Sequence, residues 1–187
     1  MKYIGLKRIH KGDYLTYYNL EYETNNKRKK KYEMVSHNSE ISDLNDLNNK
    51  KTDAVVIIMH DESEEKILLN YEYRMAVGRW VYNFPAGLID DGEDVLTAAA
   101  REMREETGLV VKDIVEEWKE SYSAVGITNE KVVVVIGHAE GVIKPSDSDM
   151  EEIKAGWYTK AEIRKLLETD YFAARTQTYC KLWSRQK

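Results

Sequence analysis

The chain has 187 residues, of which 42% are hydrophobic and 33% charged, and its formal net charge is −5. This length suffices for one domain with a buried core, and the acidic balance argues against a general binder of polyanions such as nucleic acids. The single cysteine, Cys180, excludes an internal disulfide and a cysteine zinc site. No apolar run reaches the roughly 18 residues that span a membrane, and the N-terminus does not resemble a signal peptide. We therefore expect a cytoplasmic protein without a membrane partner.

Residues 1–48 alternate aromatic and polar side chains around two turn signals, Lys11-Gly12-Asp13 and Thr24-Asn25-Asn26-Lys27. This pattern predicts a three-stranded antiparallel β-meander. Because an isolated meander cannot easily bury both faces, it must pack on the rest of the core or on a second subunit. The basic run Lys27–Lys31 follows the second turn and starts a strand, where exposed lysines discourage aggregation. A solvated hairpin therefore explains the run better than a nucleic-acid site.

The polar, Asn/Asp-rich segment Asn38–Lys51 is interpreted as a linker or mobile loop. It separates an N-terminal sheet, residues 1–48, from a second domain, residues 49–187. In the second domain we expect strands at residues 54–59, 66–73, 110–122, 131–139 and 153–158. Helices are predicted at residues 94–107, at residues 160–168 after a cap at Thr159, and at residues 171–183.

The helix predicted at residues 94–107 is rich in strong helix formers and is followed by Gly108, a typical stop signal. Its predicted core-facing stripe consists of Leu96, Ala99, Ala100, Met103 and Thr107. Three glutamates, Glu102, Glu105 and Glu106, fall within a sector of roughly 100° away from that stripe.

Adjacent carboxylates on one helix face repel one another, and a bound cation removes that cost. Ligation by carboxylates alone favours Mg²⁺ or Mn²⁺ over zinc, since no cysteine or paired histidine lies nearby in the sequence. Arg101 is placed to pair with Glu105 or to fold back towards Glu93. The alternative without a metal site is an amphipathic helix with a solvated acidic face, which is the usual situation for a glutamate-rich helix.

The loop before the helix decides between these readings. Seven residues keep a fixed spacing through loop and helix: Gly87, Glu93, Arg101, Glu102, Glu105, Glu106 and Gly108. From average residue usage they would co-occur by chance on the order of once in a million such chains. They resemble the box of the Nudix hydrolases, G-x5-E-x7-R-E-U-x-E-E-x-G-U, in which U is apolar. Met103 and Leu109 fill both U positions, so the match is complete.

The resemblance implies an α+β fold, in which an α/β/α sandwich surrounds a mixed sheet. It also implies hydrolysis of a nucleoside diphosphate linked to another group. The implied ligands of Mg²⁺, or of Mn²⁺ as a substitute, are Glu102, Glu106 and the carbonyl of Ala86, with Glu105 close by. The residues that would support the box are Gly87, Glu93, Arg101 and Gly108.

Segments outside the box resemble the ADP-ribose and ADP-sugar pyrophosphatase branch of the family. Tyr71–Arg74 and Phe84–Asp90 are similar to its pattern QYR … E-x-PAG-x-x-D-x-GE, and Ser123–Glu130 to its loop S-P-G-x-S-x-E. Near the N-terminus, residues 31–36 are similar to its strand YE-x-VS. Two residues depart from the patterns, since Asn83 replaces a usual Glu and Ala124 a usual Pro. Both lie near the expected substrate pocket, so they bear on the substrate more than on the reaction.

The branch resemblance also implies a homodimer in which the N-terminal sheet is exchanged between protomers. The substrate pocket would then lie at the interface. Arg74 would contact a phosphate, because its planar guanidinium suits phosphate oxygens, and Glu130 would bind substrate from its loop. Tyr14 or Tyr17 would stack on the base, although such residues are more often ordinary sheet residues.

The resemblance does not identify the residue that acts as the base and activates water. Candidates are Glu151 and Glu152, in the acidic segment Asp147–Glu152, and Glu105 within the box. The alternative for the acidic segment is a solvated loop before the last strand.

These observations lead to a specific hypothesis. We expect Mg²⁺-dependent hydrolysis of a nucleoside diphosphate sugar, with ADP-ribose cut to AMP and ribose 5-phosphate. The alternative substrates are other diphosphate sugars such as GDP-mannose or ADP-glucose. A sensor that binds nucleotide sugars without cleaving them is a further alternative, which the intact box disfavours because a sensor does not need three clustered carboxylates.

Overall fold

The computed structural model describes residues 1–48, 51–146 and 150–186. The chain forms two compact units, of which the first contains residues 1–53 and 120–132. The second unit contains residues 54–119 and 133–187. A stretch from the middle of the chain, residues 120–132, is thus grouped with the N-terminal segment.

The strands and helices of the described residues have the following bounds. The strands are β1 (Lys2–Lys11), β2 (Thr16–Glu23), β3 (Lys29–Ser36), β4 (Ala54–His60), β5 (Lys66–Arg74), β6 (Arg79–Asn83), β7 (Ala86–Leu88), β8 (Val110–Glu117), β9 (Ser121–Tyr122), β10 (Lys131–Glu140) and β11 (Ile153–Thr159). The helices are α1 (Leu44–Asn48), α2 (Val95–Thr107), α3 (Lys160–Thr169) and α4 (Ala174–Trp183).

The first unit is built on the antiparallel sheet β1-β2-β3, so the predicted meander is confirmed. Alternate residues of β2 point inward, and the core consists of Tyr18, Leu20, Met34 and Ile41, each at most 6% exposed. The segment 120–132 joins this unit where the amide of Val35 donates to the carbonyl of Ile127 at 2.9 Å.

The segment Asn38–Lys51 is more ordered than a linker or mobile loop, and that prediction was wrong for its described part. Helix α1 occupies its centre, and the Asp43 side chain accepts a hydrogen bond from the amide of Asp46 at 2.9 Å. Asparagine and aspartate favour helix caps as well as turns, and this dual preference misled the sequence interpretation. Residues 49 and 50 lie outside the described part of the chain.

The second unit is organised around the mixed sheet β11-β5-β4-β10-β8, with β6 paired to β5 and β7 paired to β4. The sequence did not predict β6 and β7, which have five and three residues. Segments this short carry little periodicity, and they become strands because they pair with longer neighbours. The strand predicted at residues 110–122 instead ends at Glu117, and β9 follows as a separate piece.

Strand β4 is buried along its whole length, because helices cover both faces of the sheet. Val55, Ile57 and Met59 belong to the cluster that contains the buried side chains of α2. His60 packs instead against Trp183 of α4, with ring centroids 5.5 Å apart. This layering confirms the predicted α/β/α sandwich.

The buried face of α2 differs from the predicted stripe. Leu96 and Ala100 are exposed, whereas the buried residues are Ala98, Ala99, Met103, Glu106 and Thr107. The predicted stripe is therefore confirmed at Ala99, Met103 and Thr107 and wrong at Leu96 and Ala100. The helix is turned so that one glutamate, Glu106, shares its inward face.

The helices of the second unit have 13, 10 and 10 residues. Thr159 caps α3 with a reciprocal capping box to Glu162, as the predicted helix start requires. Helix α4 begins at Ala174 rather than 171, because residues 171–173 bond to the backbone of Tyr82 in β6. Within the described residues, none of the helices combines the length and apolar character needed to cross a membrane.

Candidate active site

A loop between β7 and α2 brings the fixed residues of the box together. Strand β7 pairs with β4 along Ala86–Leu88, which fixes the backbone before the loop. Asp94 then caps α2, since its carboxylate accepts hydrogen bonds from two amides of the first turn at 3.0 and 2.9 Å. Gly108 ends the helix in the left-handed region, with φ of 73°. Local capping thus determines where the carboxylates of the helix project.

The guanidinium of Arg101 ties the loop to the helix. Its Nη2 donates to the carbonyl of Leu88 at 2.8 Å and to Glu93 at 2.9 Å. Its Nη1 donates to Glu102 at 2.6 Å and, at the long distance of 3.4 Å, to Glu105. The hydrogen bonds from Arg101 hold the pKa of Glu93 below its usual value. Arg101 therefore pairs with both of the partners considered from the sequence.

Gly87 leaves room for the Glu102 carboxyl group. A side chain at position 87 would overlap that carboxyl, so only glycine permits this approach of helix side chain to strand backbone. Burial raises the pKa of Glu102, the Arg101 guanidinium opposes this effect, and the charges of Glu105 and Glu151 add to it. Glu102 is therefore a partly desolvated carboxylate in a confined position.

Glu106 is the most buried carboxylate of the box, with 7% of its surface exposed. It accepts hydrogen bonds from the Asn70 amide at 2.9 Å and from the amide of Ala86 at 3.2 Å. Burial raises its pKa well above the ordinary value, and the negative charges of Glu102, Glu72 and Glu151 raise it further. Both hydrogen-bond donors are neutral, so they compensate only part of a buried negative charge.

The donor set fits a hard divalent cation. Glu102 and Glu106 supply carboxylate oxygens, the backbone at Ala86 adjoins Glu106, and Asn70 Oδ1 is a buried acceptor without a hydrogen-bond partner among the described residues. In residues 1–48, 51–146 and 150–186, no three His, Cys, Asp or Glu side chains already converge as a formed metal centre. The carboxylates bond instead to Arg101, Asn70 and the backbone. Glu105 lies at the edge of the site, with 48% of its side chain exposed.

Sequence reasoning missed Glu72, which the structure places with these residues. It is 7% exposed on β5, and its Oε1 accepts a hydrogen bond from Asn83 at 3.0 Å. Arg74 is 3.7 Å from the other oxygen of Glu72, and 58% of the Arg74 side chain is exposed. An acidic residue within a predicted buried strand was the available signal. Such a residue requires compensation and is a candidate for function.

The two candidate bases after β10 have different surroundings. Both are exposed, but the charge of Glu151 contributes to the raised pKa values of Glu72, Glu102 and Glu106. The backbone carbonyl of Glu152 accepts a hydrogen bond from the amide of Tyr73 at 3.0 Å. Glu151 therefore has the stronger link to the carboxylates. Residues 147–149 of the acidic segment lie outside the described residues.

The remaining predicted substrate residues belong to the first unit. Tyr14 lies in the turn before β2 and is 86% exposed, and Tyr17 is on β2 itself. Glu130 Oε1 is 3.6 Å from His37 Nε2. The carbonyl of Ala124 accepts hydrogen bonds from the amides of Ile127 and Thr128, each at 3.0 Å, so a turn forms here without proline. The contribution of these residues to substrate binding stays a prediction.

The family is shown by a match of residues 50–179 to the NUDIX domain model. The chain therefore belongs to the Nudix family. This match covers all of the box, and membership implies the use of a divalent metal ion.

Two curated relatives share the branch predicted from the sequence. The ADP-ribose pyrophosphatase of Mycobacterium tuberculosis is 34% identical over 115 residues, which cover 58% of this chain and 53% of the relative. The ADP-ribose pyrophosphatase of Saccharomyces cerevisiae is 40% identical over 75 residues, covering 40% of this chain and 32% of the relative. The matches thus span between a third and about half of these relatives' lengths.

A solved structure supports the fold over nearly the whole chain. The crystal structure of an ADP compounds hydrolase aligns with a TM-score of 0.72 and 20% identity, covering 99% of this chain and 93% of that one. The predicted fold and the resemblance to Nudix hydrolases of the ADP-ribose pyrophosphatase branch are confirmed. The cytoplasmic location, the choice of Mg²⁺ and the homodimer stay predictions.

Proposed function

We propose that the chain hydrolyses the pyrophosphate bond of a nucleoside diphosphate sugar in a Mg²⁺-dependent reaction, for which Mn²⁺ substitutes. The observation that carries this proposal is the buried carboxylate of Glu106, which lies between the Asn70 amide and the amide of Ala86 and has no cationic hydrogen-bond partner among the described residues. A divalent cation compensates such a charge and at the same time attracts a diphosphate.

Glu102, Glu106 and the Ala86 carbonyl are the proposed ligands, with Glu105 at the edge of the site. When bound, the cation neutralises phosphate charge and lowers the pKa of an attacking water. Arg101 and Glu93 hold the loop against α2, so the ligands stay aligned. The exposed guanidinium of Arg74 binds a phosphate oxygen of the substrate.

The reaction consumes one water. The water oxygen forms a bond to one phosphorus while the bond from that phosphorus to the bridging oxygen breaks, and the leaving phosphate carries the bridging oxygen away. The proton of the water passes to a carboxylate. The candidate acceptors are Glu151, whose charge acts on Glu102 and Glu106, together with Glu152 and Glu105.

The proposed substrate is ADP-ribose, which would yield AMP and ribose 5-phosphate. Its support is the likeness to two proteins named ADP-ribose pyrophosphatase. The first unit would be exchanged between the protomers of a homodimer, and Tyr14 or Tyr17 and Glu130 would contact substrate there. Sedimentation of the purified chain at twice the mass of one chain would support the dimer, and sedimentation as a monomer at micromolar concentration would contradict it.

The function is tested by incubating the protein with Mg²⁺ and a panel of diphosphate compounds and separating the products by chromatography. The panel contains ADP-ribose, ADP-glucose, GDP-mannose, NADH and diadenosine polyphosphates. We expect AMP and ribose 5-phosphate to form fastest from ADP-ribose and EDTA to stop the reaction. Faster cleavage of another sugar compound would contradict the proposed substrate but support the proposed reaction. Tight binding without any cleavage would identify a sensor.

A further inference from the structure

A buried polar layer adjoins the box carboxylates. It consists of five side chains, each at most 9% exposed, that come from β5, β6, α2 and α4: Asn70, Glu72, Asn83, Glu106 and Thr176. Polar groups at this depth are costly unless they are paired. Their arrangement therefore needs an explanation that the box alone does not provide.

Glu72 faces the same side of the sheet as the box. Side chains two positions apart on a strand point to one face, so Glu72 shares the face of Asn70. The Asn70 amide donates to Glu106 at 2.9 Å, and Leu68, two positions earlier, packs in the cluster with α2. The strand therefore directs the Glu72 carboxylate towards the helix that carries the proposed ligands.

Asn83 fixes the Glu72 carboxylate in place. The Asn83 Oδ1 atom accepts hydrogen bonds from the amide of Phe84 at 3.0 Å and from the hydroxyl of Thr176 at 2.8 Å. Because both donors bind the oxygen, the NH₂ group must face the other way, and it donates to Glu72 Oε1 at 3.0 Å. The orientation of the amide is thus set by its own partners.

The negative charge of Glu72 is only partly compensated. The Asn83 amide is neutral, and the nearest Arg74 nitrogen is 3.7 Å away on a mostly exposed side chain, where ion pairs contribute little. Burial raises the pKa of Glu72, although the charges of Arg74 and Arg175 and the hydrogen bond from Asn83 oppose this effect. The charge of Glu72 is in turn among those that raise the pKa of Glu106. Excess negative charge therefore extends from α2 to β5.

Compared with the branch pattern given above, the carboxylate and the amide have changed places between β5 and β6. That pattern has Gln at position 72 and Glu at position 83, whereas this chain has Glu72 and Asn83. One carboxylate and one amide are present in both arrangements, and here they are in direct contact. The carboxylate that the pattern has at position 83 is therefore replaced by the carboxylate of Glu72, and Asn83 supplies the amide.

We propose that Glu72, held by Asn83, is a further carboxylate of the divalent-cation site and increases the affinity of that site for the cation. This inference rests on the proposed function only in assuming that a cation binds beside Glu106. The affinity can be measured without substrate, so the two proposals fail separately.

The test is Mn²⁺ binding to metal-free protein by isothermal titration calorimetry, with wild type compared with Glu72→Gln. The matched control is Glu168→Gln, which makes the same charge change at an exposed position of α3. We expect Glu72→Gln to weaken Mn²⁺ binding by about 10- to 100-fold and the control to stay within about twofold. Without metal, the melting temperature of Glu72→Gln should be unchanged or higher, because a buried charge is removed.

A purely structural role for Glu72 gives a different result. The melting temperature of metal-free Glu72→Gln would then fall while its Mn²⁺ affinity matched that of the control, and the proposal would be overturned.

The double variant Glu72→Gln/Asn83→Glu tests the pair as a unit. It returns a carboxylate to the buried layer on β6, so we expect Mn²⁺ affinity to recover to within about threefold of wild type. If the double variant binds Mn²⁺ as weakly as Glu72→Gln alone, the proposal that this pair supplies a carboxylate to the cation site would be overturned. If wild type binds Mn²⁺ but cleaves no compound of the panel, the proposed function fails and the Glu72 result still decides this inference. Absence of Mn²⁺ binding to wild type would overturn both.

Discussion

Gly87 shows how a single residue controls the geometry of the site. The Glu102 carboxyl occupies the space that a side chain at position 87 would need. The glutamate can therefore lie against the strand backbone only when position 87 is glycine. The sequence identified Gly87 as a fixed box residue, but only the structure shows that the reason is this close approach.

Gly87→Ala should accordingly displace Glu102 and weaken the cation site. We expect Mn²⁺ affinity to fall by at least about tenfold, with the far-ultraviolet circular dichroism spectrum unchanged. Gly5→Ala is the matched control, since a Cβ atom there meets no atom within 4 Å. Equal Mn²⁺ affinity in Gly87→Ala and Gly5→Ala would show that the close approach is unimportant for binding.

At the scale of elements, helix α2 was the most predictable part of the molecule. The helix predicted at residues 94–107 occupies Val95–Thr107 and ends at Gly108, as the helix formers and the glycine stop signal indicate. The burial of Glu106 did not follow, because a carboxylate is assigned to solvent by default. Only the contacts with Asn70 and the backbone of β7, which come from tertiary structure, turn that residue inward.

The cap of α2 can be tested directly. Asp94→Ala removes the acceptor for two amides of the first turn, and we expect a loss of about 1 kcal/mol of unfolding free energy. For a chain of this size the melting temperature should fall by about 2–4 °C. Asp91→Ala, an exposed change in the same loop, serves as control. If the two variants have the same melting temperature, the capping hydrogen bonds do not stabilise the helix.

The short strands explain which site residues escaped the sequence interpretation. Glu72 acquires its role from Asn83 on β6, a strand that periodicity did not reveal. Thr176 completes the same layer from α4, 93 residues further along the chain than Asn83. Pairing between such distant segments leaves no local pattern, so the layer could not be predicted from one sequence.

At the scale of the whole molecule, the second unit accumulates negative charge in its interior. Burial raises the pKa of Glu72, Glu102 and Glu106 above the ordinary value of 4.5. The fold and the family were predictable because they depend on the box and on strand patterns. The grouping of residues 120–132 with the N-terminal sheet was not, because it depends on long-range contacts.

This charge gives a pH-dependent stability in the metal-free protein. Between pH 4.5 and the raised pKa of Glu106, the folded state binds more protons than the unfolded state, so stability falls as pH rises. We expect the stability advantage of Glu106→Gln over wild type to grow as pH rises from 4.5 towards the raised pKa of Glu106, by at most about 1.4 kcal/mol per pH unit. Chemical denaturation in the presence of chelator measures this difference. A constant difference across that range would show that burial does not raise the pKa of Glu106.

The most direct test of the proposed chemistry is the turnover of ADP-ribose by Glu106→Gln in saturating Mg²⁺, compared with wild type and with Glu168→Gln. We expect a loss of at least about 100-fold in kcat for Glu106→Gln, with the control close to wild type. Turnover by Glu106→Gln at the wild-type rate would show that this carboxylate does not hold the cation, and the central claim would be wrong.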